Sequence, residues 1–267
     1  MVLMDLPAHE TERLLAAVTG TCRPGVAGTL VTPELQARFE ALVARRLAGE
    51  PLQYLEGTAA FGPIEVAVDP RVLIPRPETE GLWELAAAAL EDAGPGTTIV
   101  DLGTGSGALA LALKHAFGAA RVIGVDDSPA ALEVARANAS DLGLDVEFLE
   151  GDLFDALPSA LKGRLDLVVS NPPYVAEGEW HDLPADVRDH EPKHALVAGP
   201  DGTEVLERIA DDGYWWLGVG GYLLCEIGET QGPAMELAFG AFDRRVRRDL
   251  AGRDRYLVAR KGSTCCL

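Results

Sequence analysis

Residues 98–108 read Thr98-Ile99-Val100-Asp101-Leu102-Gly103-Thr104-Gly105-Ser106-Gly107-Ala108, and this stretch decides the fold class. Its first four residues are typical of a buried strand, and the glycines that follow let the backbone turn tightly. A helix is predicted from Gly107 to Phe117, so its amino terminus lies behind the turn. The glycines in front of it let a ligand approach the backbone closely. The stretch therefore predicts the first strand-to-helix unit of an α/β sheet.

The chain from about Pro77 onward alternates predicted strands with predicted helices, which is typical of a mostly parallel sheet covered by helices on both faces. Strands are predicted over 98–101, 121–125, 146–149, 165–170, 222–227, 244–250 and 256–260. Helices are predicted over 82–90, 107–117, 129–140 and 203–217. The sequence therefore predicts a doubly wound, Rossmann-like α/β fold with a seven-stranded, mostly parallel sheet.

The first third of the chain has a different pattern. A helix is predicted to begin at Thr32 as N-cap, with Pro33 at the first helical position, and to stop at Gly49. Apolar residues at helical spacing give it one face for burial, namely Leu35, Phe39, Leu42, Val43 and Leu47. Alternation over 61–70 indicates a hairpin. We therefore predict a small helical domain over 1–56, a β-hairpin linker over 57–75 and the sheet domain over 76–267.

The overall charge is strongly acidic. A formal net charge of -19 means that extended contact with a phosphate backbone would need a local basic patch. The dense basic stretch 244–248 alternates with Val246 and Leu250 and is interpreted as the solvated face of an edge strand. We therefore expect no stable nucleic-acid binding.

The chain also lacks the sequence features of a membrane or secreted protein. No apolar run approaches the ~20 residues of a membrane span, and residues 1–5 have no basic region followed by an apolar one. The cysteines, Cys22, Cys225, Cys265 and Cys266, have no CxxC spacing and are interpreted as free thiols. A cytoplasmic location and no membrane partner are expected.

The glycine turn and Asp126 together predict a nucleoside cofactor. Asp126 ends the second predicted strand, where a carboxylate can accept hydrogen bonds from both ribose hydroxyls. The turn also satisfies the dinucleotide fingerprint, with Ala108 in the third place, so NAD is an alternative at this point. The choice of cofactor depends on a second motif.

That second motif is Asn171-Pro172-Pro173-Tyr174, which follows the predicted strand 165–170. The Asn171 side-chain oxygen and the Pro172 carbonyl can accept both hydrogens of a planar NH2 group, while Tyr174 covers that group. A hydride-transfer enzyme has no evident use for such a clamp, whereas a methyltransferase acting on a planar nitrogen does. The motif therefore favours S-adenosylmethionine over NAD, and both sites lie at carboxyl ends of strands, where such sheets bind ligands.

Residues 190–194 match the zinc-protease string HExxH. That motif requires both histidines on one face of a continuous helix. Pro192 removes a backbone donor and clashes with the preceding turn, which costs about 3 kcal/mol or more inside a helix. We therefore predict an irregular loop beside the mouth of the site and no metal.

Several strings together resemble the HemK/PrmC family of N5-glutamine methyltransferases, which modify class-1 peptide chain release factors. They are the glycine turn, 171–174, Glu50-Pro51-Leu52-Gln53-Tyr54 and Val72-Leu73-Ile74-Pro75-Arg76-Pro77-Glu78-Thr79-Glu80. Further matches lie at 186–188, 191–192, 195–196, 226–228 and 231–232, so the resemblance covers nearly the whole chain. Two departures are a helical region that is shorter than the family pattern and Leu153, where some members carry an aromatic residue.

The resemblance implies an S-adenosylmethionine-dependent enzyme, a release factor as protein substrate, and a monomer. The cofactor-binding residues that it implies, with the glycine turn included, are Asp101, Gly103, Thr104, Gly105, Ser106, Gly107, Asp126, Asp152, Leu153 and Asn171. The implied substrate-binding residues are Asn171, Pro172, Pro173, Tyr174, Arg76, Glu78 and Thr79, of which Asn171, Pro172 and Tyr174 are the predicted catalytic residues.

Two alternatives remain open. N6-adenine and N2-guanine methyltransferases of nucleic acids use a similar clamp on an exocyclic amine, although the acidic charge opposes that function here. The second is a non-catalytic S-adenosylmethionine-binding protein that interacts through its helical domain.

Overall fold

The computed structural model describes residues 6–20, 32–90 and 94–262. The helices are α1 (Ala8–Thr19), α2 (Pro33–Leu47), α3 (Leu52–Glu56), α4 (Pro77–Ala89), α5 (Ala108–Ala116), α6 (Pro129–Leu142), α7 (Ala185–His190), α8 (Glu204–Trp216) and α9 (Gly232–Ala238). The strands are β1 (Thr58–Phe61), β2 (Ile64–Ala67), β3 (Thr98–Leu102), β4 (Arg121–Asp126), β5 (Glu147–Glu150), β6 (Leu165–Ser170), β7 (Val175–Ala176), β8 (Val197–Gly199), β9 (Leu217–Glu226), β10 (Asp243–Arg248) and β11 (Asp254–Arg260).

The main sheet has seven strands in the order β10-β11-β9-β6-β3-β4-β5. The five strands from β9 to β5 are parallel, and β11 and β10 complete the sheet in antiparallel pairs. The chain runs outward from β3 through β4 to β5 and then returns to β6 on the other side of β3. This reversal opens a crevice at the carboxyl ends of β3 and β6, which is where open α/β sheets bind ligands.

Two apolar layers sandwich the sheet. Alternate residues of β3 supply them: Ile99 packs with α4, α5 and the β1–β2 hairpin, whereas Val100 packs with α8 and α9. The helices α1 to α3 enclose a third cluster, formed by Leu14, Leu15, Val18, Phe39, Val43, Leu52 and Leu55. The predicted doubly wound fold is confirmed, while the division into domains stays a prediction.

The predicted elements differ from the observed ones mainly at their ends. The Thr32 side chain accepts a hydrogen bond from the Leu35 amide and caps α2, as predicted. The prediction that Leu47 of the same helix is buried is wrong, because Leu47 is 45% exposed. The hairpin occupies 58–67 rather than 61–70, and β9 begins at Leu217 instead of 222.

Some elements were not predicted from sequence. They are the short parallel pair of β7 and β8 and the helices α3, α7 and α9. Strand β10 does lie at the edge of the sheet, as the basic stretch indicated.

Cys22, Cys265 and Cys266 lie outside the described residues, whereas Cys225 is a buried free thiol. Within the described ranges no helix combines the length and apolar character that crossing a membrane requires.

Candidate active site

The carboxyl ends of β3 and β6 lie side by side, because Leu102 pairs with Ser170 in the sheet. The glycine turn follows β3, and Asn171 follows β6 directly. Both border one cavity of about 290 Å³, which is near the ~300 Å³ lower end of ligand pockets. The fold therefore brings the two predicted motifs to one site.

The glycine turn is held open by backbone geometry. Gly103 and Gly105 have φ values of 72° and 56°, a region that side chains disfavour. The amides of Gly103 and Thr104 both donate to the Val125 carbonyl, at 2.8 and 2.9 Å. A Cβ added at Gly103 or Gly105 would meet nothing within 4 Å, so packing does not require glycine at either position. The positive φ values of the turn favour glycine there, and the missing side chains let a ligand approach the backbone closely.

Asp126 lines the cavity from the end of β4. Its carboxylate accepts hydrogen bonds from the Gly105 amide at 2.8 Å and from the Ser128 amide at 3.0 Å. Burial raises the pKa of Asp126, and these two hydrogen bonds oppose that rise. The carboxylate thus fixes the turn while it faces the cavity.

Asp101, Thr104 and Ser106 lie behind the turn and are buried. The Asp101 carboxylate accepts hydrogen bonds from the Thr104 hydroxyl at 2.6 Å and the Ala110 amide at 3.2 Å. Burial raises the pKa of Asp101 to about 7. These side chains shape the turn from the inside, and their predicted contact with a cofactor stays a prediction.

Asp152 and Leu153 also line the cavity. Leu153 has a φ of 48° and is the one non-glycine residue with a positive φ among the described residues. Such a backbone conformation costs of order 1–3 kcal/mol and is found mainly at functional sites. Arg208 of α8 holds Asp152 in an ion pair at 2.7 Å, and both side chains are about half exposed.

The predicted clamp residues differ in what they face. Asn171 and Pro173 line the cavity, while Tyr174 is not among its lining residues in the described structure. Asn171 Nδ2 donates to Thr79 Oγ1 at 3.1 Å, which leaves Oδ1 as the amide atom available to a guest. The Tyr174 hydroxyl donates to Glu226 at 3.0 Å. Coverage of a substrate by the Tyr174 ring therefore stays a prediction.

Arg76, Glu78 and Thr79 lie where the chain enters α4. The Arg76 guanidinium donates to Glu191 at 2.6 Å, and the Glu78 carbonyl accepts from the Tyr256 hydroxyl at 2.8 Å. Thr79 is buried and donates to Glu226 at 2.8 Å. The structure therefore places these residues around the clamp rather than along the cavity, and their direct contact with a substrate stays a prediction.

The HExxH segment does not form one helix. α7 ends at His190, Glu191 is extended, and a short 3-10 turn begins after Pro192. The Glu191 carboxylate also accepts from the Ile74 amide at 3.3 Å. The prediction of an irregular segment at the mouth is confirmed, and His194 borders the cavity.

Several cavity residues were missed by sequence reasoning. Arg71, His194, Val197, Val205 and Arg208 are among them. His194 lay inside the rejected metal motif, and Arg208 lies on a helix without any motif of its own. Glu226 was noted as a family match but not as a site residue, although its carboxylate contacts both Thr79 and Tyr174.

The sequence of this chain matches two known protein families. A model of the PrmC N-terminal domain matches residues 4–57, and a model of a methyltransferase domain matches residues 93–211. A release factor glutamine methyltransferase from Mycolicibacterium smegmatis is 50% identical over 85% of this chain and 80% of its own length. The chain belongs to the release factor glutamine methyltransferase family.

Other comparisons agree with membership of the release factor glutamine methyltransferase family. A member from Moorella thermoacetica is 42% identical over 96% of this chain and 92% of its own length. A solved methyltransferase from Pyrococcus furiosus covers 87% of this chain and 100% of its own, with a TM-score of 0.56 and 15% identity. That structural likeness shows the methyltransferase fold alone. The helices α1 to α3 fall within the match to the family's N-terminal domain, and the predicted shortness of this region stays a prediction.

Proposed function

We propose that this chain transfers a methyl group from S-adenosylmethionine to the N5 amide nitrogen of a glutamine in the Gly-Gly-Gln loop of class-1 peptide chain release factors. The observation that carries this proposal is the cavity at the carboxyl ends of β3 and β6. It joins the glycine turn and Asp126 on one side to Asn171 and Pro173 on the other. The names of the curated relatives support the release factor as substrate.

The described residues fit this cofactor. The open glycine turn admits close approach of a ligand, Asp126 offers carboxylate oxygens for ribose hydroxyls, and Asp152 with Leu153 borders the remaining space. S-adenosylmethionine, when bound, supplies an electrophilic sulfonium methyl group. Holding the cofactor is thus assigned to the turn and the strand ends beside it.

The chain's own contribution to catalysis is positioning. An amide nitrogen is a poor nucleophile because its lone pair is delocalised into the carbonyl group. Asn171 Oδ1 and the Pro172 carbonyl would accept the two hydrogens of the glutamine NH2, which orients its nitrogen and favours charge that develops there. No hydrogen bond of the described residues uses either of these oxygens. No general base is assigned.

The direct test incubates the purified chain with S-adenosylmethionine and a class-1 release factor. Mass spectrometry should find one added methyl on the glutamine of the Gly-Gly-Gln loop. Methylation of nucleic acid in a parallel incubation, with none on the release factor, would overturn the proposal. Cofactor binding without transfer to either substrate would favour a non-catalytic role instead.

The clamp is tested by Asn171→Ala. The substitution removes the Oδ1 acceptor that orients the glutamine nitrogen, so turnover should fall by about 100-fold. Cofactor binding should stay largely intact although Asn171 is among the implied cofactor-binding residues, because the glycine turn and Asp126 are unchanged, and calorimetry can measure this. Turnover equal to that of the unmodified chain would remove Asn171 from the mechanism.

A further inference from the structure

A buried carboxylate lies behind the clamp. Glu226 ends β9 and is 1% exposed. Its Oε2 accepts a hydrogen bond from Thr79 Oγ1 at 2.8 Å, and its Oε1 accepts one from the Tyr174 hydroxyl at 3.0 Å. Glu226 does not border the cavity among the described lining residues, so it acts on a guest only through its two partners.

The hydrogen bonds of Thr79 have a fixed direction. A hydroxyl group has one proton to donate, and Thr79 donates it to Glu226. The Thr79 oxygen can therefore only accept from Asn171, which presents its Nδ2 at 3.1 Å. Since the amide has an NH2 end and an oxygen end, this contact assigns the oxygen end to the cavity.

The electrostatics around Glu226 matter because an ionised carboxylate can only accept hydrogen bonds. Burial raises the pKa of Glu226 above its ordinary 4.5, while the hydrogen bonds from Thr79 and Tyr174 and the positive charge of Arg255 oppose that rise. Both oxygens face hydroxyl donors. The hydrogen bonds from Thr79 and Tyr174 and the charge of Arg255 favour the acceptor state that the Thr79 contact requires, whereas burial opposes it, so the assignment rests on the hydrogen-bond geometry.

We propose that Glu226 is a positioning residue, which through Thr79 fixes the Asn171 amide with Oδ1 toward the methyl-accepting NH2 group and through Tyr174 fixes the other end of the clamp. This inference deepens the proposed function and rests on it. A flipped Asn171 would set NH2 against NH2, two donors with no hydrogen bond between them. Loss of the relay should therefore lower kcat and leave cofactor affinity unchanged.

A matched pair of variants tests the relay. Thr79→Val keeps the shape of the side chain but removes the hydroxyl, and we expect kcat to fall by about 10- to 100-fold. Thr79→Ser restores the hydroxyl and should recover most of that loss, which a merely structural role of the threonine methyl group would not predict. Glu226→Gln keeps one acceptor oxygen but adds a donor, so Thr79 can either donate or accept, and we expect a smaller fall in kcat than Thr79→Val causes.

The control is Ser170→Ala, which removes another buried hydroxyl beside Asn171. Ser170 donates to the Leu102 carbonyl at 2.7 Å and takes no part in the relay. Its loss should lower stability without lowering kcat. Unfolding in urea and cofactor calorimetry on every variant separate misfolding from misorientation.

A second readout does not depend on activity. The Asn171 side-chain NH2 signal in nitrogen-15 NMR, identified by its absence from Asn171→Ala, should exchange slowly in the unmodified chain. It should shift and exchange faster in Thr79→Val and Glu226→Gln but not in Ser170→Ala. If the signal behaves so and no release factor is methylated, the relay stands and the proposed function is wrong. If release factor is methylated but Thr79→Val keeps full kcat or an unchanged signal, the relay is overturned.

Discussion

Asp101 is an acidic residue of β3 that lies inside the protein, where it is 1% exposed. Burial raises its pKa from an ordinary 3.8 to about 7, although Thr104 and Ala110 donate hydrogen bonds to it. The folded chain therefore holds this proton more tightly than the unfolded chain. Between these two pKa values the group favours folding less as the pH rises.

We predict that Asp101→Asn removes this part of the pH dependence. The free energy of unfolding of the variant, relative to the unmodified chain, should rise as the pH is raised from about 4 to about 7 and then level off. Urea unfolding at a series of pH values measures it, and Asp211→Asn on the exposed face of α8 is the control. A difference that is constant with pH would mean that Asp101 is ionised throughout.

The ion pair of Arg76 and Glu191 gives a second prediction at this scale. The Glu191 side chain is 1% exposed and the Arg76 side chain 29%, so Arg76→Ala strands a buried carboxylate. We expect a loss of about 3 kcal/mol in the free energy of unfolding. Adding Glu191→Gln should recover part of it, because the stranded charge is gone.

The exposed pair of Arg121 and Glu147, 45% and 42% exposed, is the matched control for that loss. Arg121→Ala should cost about 1 kcal/mol or less, since solvent screens exposed pairs. A double variant less stable than Arg76→Ala alone would contradict the account of Glu191 as a stranded charge.

The helix α4 is placed by its contact with β11. The Tyr256 hydroxyl donates to the Glu78 carbonyl in the first turn of α4. The ring passes over Gly81, where an added Cβ would lie 2.2 Å from the hydroxyl oxygen and 2.8 Å from the ring carbon that carries it. Gly81 therefore permits the contact that positions Thr79 beside Glu226.

We predict that Gly81→Ala destabilises the protein although alanine is the better helix former. The usual gain of about 0.5–1 kcal/mol is outweighed by displacement of Tyr256, so a net loss of about 1–3 kcal/mol is expected in urea unfolding. Gly118→Ala, where an added Cβ meets nothing within 4 Å, should change stability little. A stabilised Gly81→Ala chain would show that Tyr256 moves aside without cost.

The whole molecule contains separate apolar clusters. The cluster of α1 to α3 is distinct from the two that cover the main sheet. Ion pairs such as Arg46 with Glu10, at 2.8 Å, connect helices within this region. The arrangement supports the proposed small helical domain, whose relation to the release factor stays a proposal.

We predict that Phe39→Ala disturbs the helical region alone. Phe39 is 3% exposed, and loss of its ring should cost about 3–5 kcal/mol of local stability. Hydrogen exchange should quicken over α1 and α2 and stay unchanged in β3 and β6, with cofactor affinity preserved. Leu47→Ala, on the exposed side of α2, is the control. Faster exchange in the sheet would argue against a separate domain.

Local patterns predicted the sheet well. The strands β3, β4 and β6 are buried on both faces and read as short apolar runs, and their predicted ranges differ from the observed ones by at most one residue at an end. Helix α2 carries its own cap, which the sequence displays directly. Short elements such as β7 and α7 have too few residues to form a periodic pattern, so they were missed.

The sequence was enough to identify the two motifs and to place them at one edge of the sheet, because the carboxyl ends of parallel strands lie together. The tertiary structure decided which atoms face the cavity and which support it. Thr79, Asn171 and Glu226 are far apart in the chain, and the hydrogen bonds that join them leave no local pattern in the sequence. The clamp is therefore visible in four consecutive residues, whereas the carboxylate that orients it emerges only when α4, β6 and β9 pack together.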